Sequence, residues 1–133
     1  MEYPKTYRYT KDDEWIEAKG EVGTIGLTHE AQCRLGDIVF LELPSVGTAL
    51  EAGKPLGVVE SVKAVFEIFS PVSGEVVEVN ADLRDAPEKV NADPHGAGWL
   101  VRVRLKKPAE MDALMDAAAY ETFAARPERE SSH

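Results

Sequence analysis

A single lysine, Lys63, stands between two segments that both have the composition of a β-strand. It lies in the stretch GVVESVKAVFEIFSPVSGEV, whose apolar and β-branched residues predict a tight hairpin between strands close to residues 55–61 and 65–70. An amine on a flexible stem can carry an acyl group through an amide, and this removes its charge. Small neighbours, Val62 and Ala64, would leave the amine uncrowded and exposed. The residues alone leave open an ordinary solvated lysine in a turn.

No other residues form a recognisable catalytic or metal-binding motif. The three histidines are scattered along the chain: His29, His95 and His133. Cys33, the single cysteine, lies in a predicted helix, where a small buried or half-buried side chain is favoured over a nucleophile. Asp12, Asp13 and Glu14 read as a solvated acidic run. We therefore expect no catalytic residue and no metal site, and the chain reads as a carrier or an adaptor.

Length and composition predict one domain. The chain has 133 residues, of which 44% are apolar, so we expect a core over about residues 9–124 and a frayed tail over 125–133. The net charge of −9 disfavours a nucleic-acid partner. No apolar run approaches the roughly 20 residues that cross a membrane. The N-terminus does not resemble a signal peptide, and we expect a bacterial cytoplasmic protein, or a mitochondrial matrix protein if a transit peptide was removed.

Short strands punctuated by glycine and proline predict a mainly β domain of barrel or sandwich type. The predicted strands cover residues 15–17, 22–27, 36–44, 55–61, 65–70, 73–80 and 99–105. Thr28 as N-cap and Gly36 as the terminating residue predict a short helix between them. Asn80 is suited to cap a further helical turn, which Pro87 interrupts.

One amphipathic helix is predicted at the C-terminal end. Pro108 suits its first position, and apolar residues then recur at helical spacing. They are Met111, Leu114, Met115, Ala118, Ala119 and Phe123. We interpret them as core residues of a helix that packs on the sheet.

The surroundings of Lys63 resemble the lipoylation site of glycine cleavage system H proteins. GVVESVKA is followed by SPVSGEVVEVN, and the segments YTKDDEW, LGDIVFLELPSVGTALEAGKPLGVVESVKA and VNADPHGAGWL are similar to that family in its order. Biotin carriers commonly hold their lysine between two methionines, and 2-oxoacid dehydrogenase lipoyl domains commonly have Asp before theirs. Here Val62 precedes it. The resemblance runs from about Tyr9 to the final helix.

This resemblance implies a barrel-sandwich hybrid with short helices and a lipoyl group attached as an amide to the Nζ of Lys63. Glu60, Ser61, Val62 and Ala64 would be the context that a lipoate-attaching enzyme recognises. The protein would be a monomeric carrier rather than an enzyme. Its partners would be a pyridoxal-phosphate glycine decarboxylase, an aminomethyltransferase and dihydrolipoamide dehydrogenase. Two alternatives stay open: a lipoate-relay H-like protein, and a non-lipoylated interaction protein that keeps the fold.

Two places depart from the family pattern. His95 and Ala97 stand where the family often has Tyr and Glu, and Phe66 and Phe69 make the strand after the lysine more apolar. We predict a turn role for His95. For Phe66 the alternatives are a core position and an apolar contact beside the lysine arm.

Overall fold

The computed structural model describes residues 3–126, and this part of the chain forms nine short strands and three short α-helices. The strands are β1 Arg8–Tyr9, β2 Glu14–Lys19, β3 Val22–Leu27, β4 Ile38–Glu42, β5 Ala49–Leu50, β6 Pro55–Ser61, β7 Val65–Phe69, β8 Gly74–Val79 and β9 Val101–Leu105. The α-helices are α1 His29–Leu35, α2 Lys89–Ala92 and α3 Ala117–Ala124, and 3-10 turns span Ala81–Arg84 and Pro108–Ala113. Within residues 3–126, no helix has the length and apolar character needed to cross a membrane.

The strands form two antiparallel sheets with a shared core. The first has the order β1-β2-β3-β9-β8-β5 and the second the order β4-β6-β7. Ile16 and Ile25 from the first sheet meet Val59 and Ile68 from the second, and none of these side chains is more than 2% exposed. The predicted mainly β fold with two packed sheets and short helices is confirmed.

Local signals placed most of the elements correctly. All seven predicted strands are present, with ends that differ by a few residues. The Thr28 side chain accepts from the Ala31 N–H, and α1 ends at Gly36, whose φ is +77°. Asn80 caps the 3-10 turn that follows it. The sequence did not indicate β1, β5 or α2, because two-residue strands and a one-turn helix are too short to carry a periodic pattern.

The prediction of one continuous helix after Pro108 is wrong. Its first part is a 3-10 turn, and the chain is then extended at Leu114. Met115 forms a β-bridge with Tyr9, with backbone N–H to carbonyl distances of 2.8 and 2.9 Å. This pairing takes the chain out of helical geometry until Asp116, whose side chain accepts from the Ala119 N–H and starts α3.

The buried face of α3 differs from the predicted one. Ala118 and Ala119, expected in the core, are exposed, whereas Ala117 and Tyr120 are buried. Of the predicted frayed tail over 125–133, residues 127–133 lie outside the described part of the chain, so that assignment stays a prediction.

We expect Asp116→Ala to lower the free energy of unfolding by about 1 kcal/mol, because it removes the N-cap of α3. Urea denaturation would measure this change. Asp112→Ala is the matched control, since Asp112 is exposed in the 3-10 turn, and its effect should stay within about 0.5 kcal/mol. A neutral or stabilising Asp116→Ala substitution would instead support a continuous helix through residue 116.

Candidate functional site

Lys63 lies at the tip of the hairpin formed by β6 and β7, as predicted. The strand pairing ends at Glu60 and Val65, and the Ser61 N–H donates to the Ala64 carbonyl at 2.9 Å to close the turn. The Lys63 side chain is exposed and has no ion pair within residues 3–126. Its amine is therefore accessible to a modifying enzyme.

Ser61 holds the turn in shape. It is 6% exposed, and its hydroxyl accepts hydrogen bonds from the Lys63 N–H at 3.2 Å and the Ala64 N–H at 3.3 Å. Glu60, Val62 and Ala64 are exposed beside it. The structure thus brings all four expected recognition residues together around Lys63. Their recognition by an enzyme stays a prediction.

The hairpin tip also contacts the segment between α1 and β4. The Val62 N–H donates to the Asp37 carbonyl at 3.0 Å. The stem of Lys63 runs alongside Gly36, where an added Cβ would lie 3.4 Å from the lysine Cε. Sequence reasoning identified Gly36 only as the end of a helix. Its second feature, contact with the lysine stem, depends on a tertiary approach.

The outer face of the three-stranded sheet, defined by Phe40, Glu42, Glu60, Val65 and Glu67, is both apolar and acidic. Phe40 and Val65 lie on either side of Glu60 across the strands, and they are 52% and 62% exposed. The three glutamates are exposed and form no ion pair in the described chain. Sequence analysis missed this surface, because a bulge in β4 shifts the alternation of its side chains.

A cleft of about 410 Å³ lies between β7, α1 and the loop that precedes β2. Its apolar wall consists of Leu27, Ala31, Leu35, Val59, Phe66, Ile68 and Phe69. Phe66 is 40% exposed, so the alternative that it fills the core is wrong. Leu35 directly precedes Gly36, the residue along which the lysine stem runs.

The cleft also contains a buried carboxyl group, that of Glu14. The side chain is 1% exposed. It is hydrogen-bonded to the Thr10 hydroxyl and accepts from the Phe69 N–H at 3.2 Å. Burial raises the pKa of Glu14 to about 8. The group therefore links the two sheets and holds its proton at neutral pH.

The predicted solvated acidic run is correct for Asp12 and wrong for its two neighbours. Asp13 is 8% exposed and accepts from the Tyr120 hydroxyl at 2.7 Å. Its φ is +67°, a turn conformation that aspartate tolerates better than most residues. The chain reverses at this point, so Asp13 and Glu14 face the interior whereas Asp12 faces solvent.

His95 connects its turn to the start of α1. His95 is a turn residue, as predicted, and its Nε2 accepts from the His29 N–H at the start of α1 at 3.0 Å. Burial lowers the pKa of His95 to about 4, which keeps the ring neutral as this bond requires.

Cys33 is exposed, so the expected burial is wrong. Ala31 and Leu35 occupy the buried face of α1 instead.

Comparison with known proteins gives one consistent result. A family model described as Glycine cleavage H-protein matches residues 7–126. A glycine cleavage system H protein of Acidobacterium capsulatum is 54% identical over 123 residues, which are 92% of this chain and 95% of the relative. One from Anaeromyxobacter sp. (strain K) is 50% identical over 123 residues, which are 92% and 96% of the two chains.

A solved structure is also similar. The crystal structure of a glycine cleavage system H protein from Mycobacterium marinum has a TM-score of 0.81 against this chain, at 38% identity. The match covers 90% of this chain and 97% of that one. The similarity therefore extends over most of both chains.

The buried Glu14 predicts a pH dependence of stability. An unfolded glutamate loses its proton near pH 4.5, whereas the folded group keeps it to about pH 8. The folded state then binds more protons in this window, so the free energy of unfolding should fall as pH rises, by at most about 1.4 kcal/mol per pH unit. Urea denaturation between pH 6.5 and 8 would measure the slope, and Glu14→Gln should flatten it.

His95 provides the control for this measurement. Its folded pKa of about 4 lies below the ordinary value of 6.5, so its contribution makes stability rise with pH between those values. His95→Asn should therefore change the slope mainly below pH 6.5 and leave it nearly unchanged close to pH 8. An unchanged slope above that pH in Glu14→Gln would contradict the role given to Glu14.

Proposed function

This chain belongs to the glycine cleavage H-protein family, and we propose that it is the lipoyl-bearing carrier of the glycine cleavage system, with the lipoyl group attached as an amide to the Nζ of Lys63. The observation that carries this proposal is the position of that lysine. Its side chain is exposed at the tip of a hairpin whose first strand, β6, is hydrogen-bonded on both sides, to β4 and to β7. This combination suits a carrier, because the root of the arm is fixed while the amine is free.

The residues around Lys63 fit a lipoyl group, which is an apolar chain that ends in a disulfide ring. Phe66, which is 40% exposed on the apolar wall of the cleft, would pack against the chain. When bound, the lipoyl group supplies a disulfide that opens and closes by thiol exchange. The lysine stem and the lipoyl chain together have about ten linking bonds, which gives a reach on the order of a dozen ångströms.

The protein body would present this arm to each partner in turn. The partners we propose are a pyridoxal-phosphate glycine decarboxylase, an aminomethyltransferase and dihydrolipoamide dehydrogenase, and the arm would carry the aminomethyl group from the first to the second. A tethered group meets each active site at high effective concentration. The chain itself would work as a monomeric carrier in the bacterial cytoplasm, and the bacterial origin of the relatives supports this setting.

The outer face is suited to dock these partners and the lipoate-attaching enzyme. Its glutamates surround two exposed apolar side chains, Phe40 and Val65. A complementary surface would carry arginine or lysine around an apolar centre, and opposite charges of this kind speed association and select partners. Glu60 lies closest in sequence to Lys63, so it is the acidic residue that we expect the attaching enzyme to contact.

We expect wild-type protein to gain the mass of one lipoyl group when it is produced with a lipoate ligase and lipoate, and Lys63→Arg to gain none. Arginine keeps the charge but cannot form the same amide. Intact mass would measure attachment, and glycine-dependent NADH formation with the three partner enzymes would measure function. Lys54→Arg is the matched control, since Lys54 is also exposed, and it should behave as wild type.

The outcomes separate the alternatives. A wild-type protein that stays unmodified would favour an interaction protein that keeps the fold. Attachment without glycine-dependent turnover would favour lipoate relay. Turnover that persists in Lys63→Arg would overturn the carrier proposal.

We expect Glu60→Gln to slow lipoyl attachment roughly tenfold, the effect of one lost charge-assisted hydrogen bond. The rate of mass gain under limiting ligase would measure this. Glu51→Gln is the control, since Glu51 is an exposed acid outside the hairpin, and it should leave the rate unchanged. Equal rates in the two variants would remove the proposed role of Glu60.

A further inference from the structure

Asn91 on α2 holds the segment that supports the hairpin tip. Its Nδ2 donates to the Gly36 carbonyl at 2.8 Å and to the Gln32 Oε1 at 3.1 Å. Its Oδ1 accepts from the Ile38 N–H at 2.9 Å. One amide group thus uses both donor hydrogens and its acceptor, and two of the three bonds go to the backbone on either side of Asp37.

Asp37 is the residue through which this segment contacts the tip. Its carbonyl accepts from the Val62 N–H, and the stem of Lys63 lies along the neighbouring Gly36. Residues 36–38 therefore form a platform that is held by Asn91 on one side and contacts the lysine-bearing turn on the other.

We infer that Asn91 is a positioning residue, which sets where the Lys63 amine is presented to the lipoate-attaching enzyme through the platform 36–38; this rests on the proposed function of Lys63. The physical reason is the geometry of Gly36. Its φ of +77° and ψ of −155° belong to a region that only glycine enters readily, so the platform has little intrinsic preference for its shape. Three directed hydrogen bonds from one side chain supply that preference.

Loosening the platform should reduce the fraction of molecules whose tip is correctly placed. The apparent affinity of the attaching enzyme falls by that fraction, whereas the reaction of a correctly bound lysine is unchanged. Asn91→Ala should therefore raise the KM of the ligase for this protein and leave kcat close to the wild-type value. Partial unfolding of the whole domain would also raise the apparent KM, so the test needs a control variant that loses similar stability elsewhere.

The chain offers a matched control in Asn80. Its amide also makes three bonds, donating to the carbonyls of Ala97 and Trp99 at 2.9 and 2.8 Å and accepting from the Asp82 N–H at 3.3 Å. None of these partners belongs to the platform or the tip. Asn80→Ala should lower the free energy of unfolding in the same way, with no effect on the presentation of Lys63.

The experiment compares unmodified wild type, Asn91→Ala and Asn80→Ala by amide hydrogen exchange and by steady-state kinetics with a lipoate ligase. In Asn91→Ala we expect protection of the Val62 N–H to fall and the KM to rise, each by about tenfold. This is about the effect of losing one hydrogen bond, here the bond from the Val62 N–H to the Asp37 carbonyl that the loosened platform would no longer hold. In Asn80→Ala both should match wild type. Asn91→Asp keeps the acceptor for Ile38 but points a carboxylate oxygen at the Gly36 carbonyl and at Gln32 Oε1, so its effect should be at least as large as that of Asn91→Ala.

The two proposals fail in different ways. If wild type accepts no lipoyl group at Lys63, the proposed function is wrong. If wild type is modified and Asn91→Ala matches Asn80→Ala in Val62 exchange and in KM, the inference about Asn91 is wrong. Should Asn91→Ala not fold, the same comparison is made with Asn91→Ser, which is neutral and keeps one hydroxyl at the site.

Discussion

The hydrogen bond from the Val62 N–H to the Asp37 carbonyl joins the lysine-bearing turn to the rest of the fold. A hairpin of two strands alone is marginally stable in water. Here β6 is paired on its other side by β4, as far as Ile38 opposite Ser61, and the bond to Asp37 extends that support to the turn itself. The backbone on the N-terminal side of Lys63 is therefore fixed, and the freedom needed for a carrier is left to the side chain.

One strand of the hairpin serves two surfaces. Successive side chains of a strand point to opposite faces, so Val65 belongs to the outer face whereas Phe66 and Ile68 border the cleft, which Glu67 also lines. The acidic outer face and the apolar cleft thus meet at β7. In the proposed carrier role, the cleft would contact the arm and the outer face would contact the partner proteins.

Buried and half-buried polar groups join segments that are far apart in the sequence. The Glu14 carboxyl reaches the edge of β7, and the Asn91 amide reaches the platform before β4. Asp13 likewise accepts from Tyr120 of α3. A buried polar group without a partner is costly, so each of these side chains ties the position of one element to another. Such links fix the positions of short strands and one-turn helices, which are too short to be stable on their own.

The sequence by itself was sufficient wherever neighbours in the chain decide the structure. The hairpin around Lys63, the Thr28 cap and the Gly36 terminus follow from local patterns, and the motifs around the lysine indicated the family. Met115, Cys33 and Glu14 were misjudged, because their environments depend on distant partners. Met115 pairs with Tyr9, Cys33 faces away from the core, and Glu14 meets Phe69 across the gap between the sheets. The free energies of local backbone preferences are small compared with the free energies of burying side chains and of forming buried hydrogen bonds. Tertiary contacts therefore determine the structure wherever they conflict with local preferences.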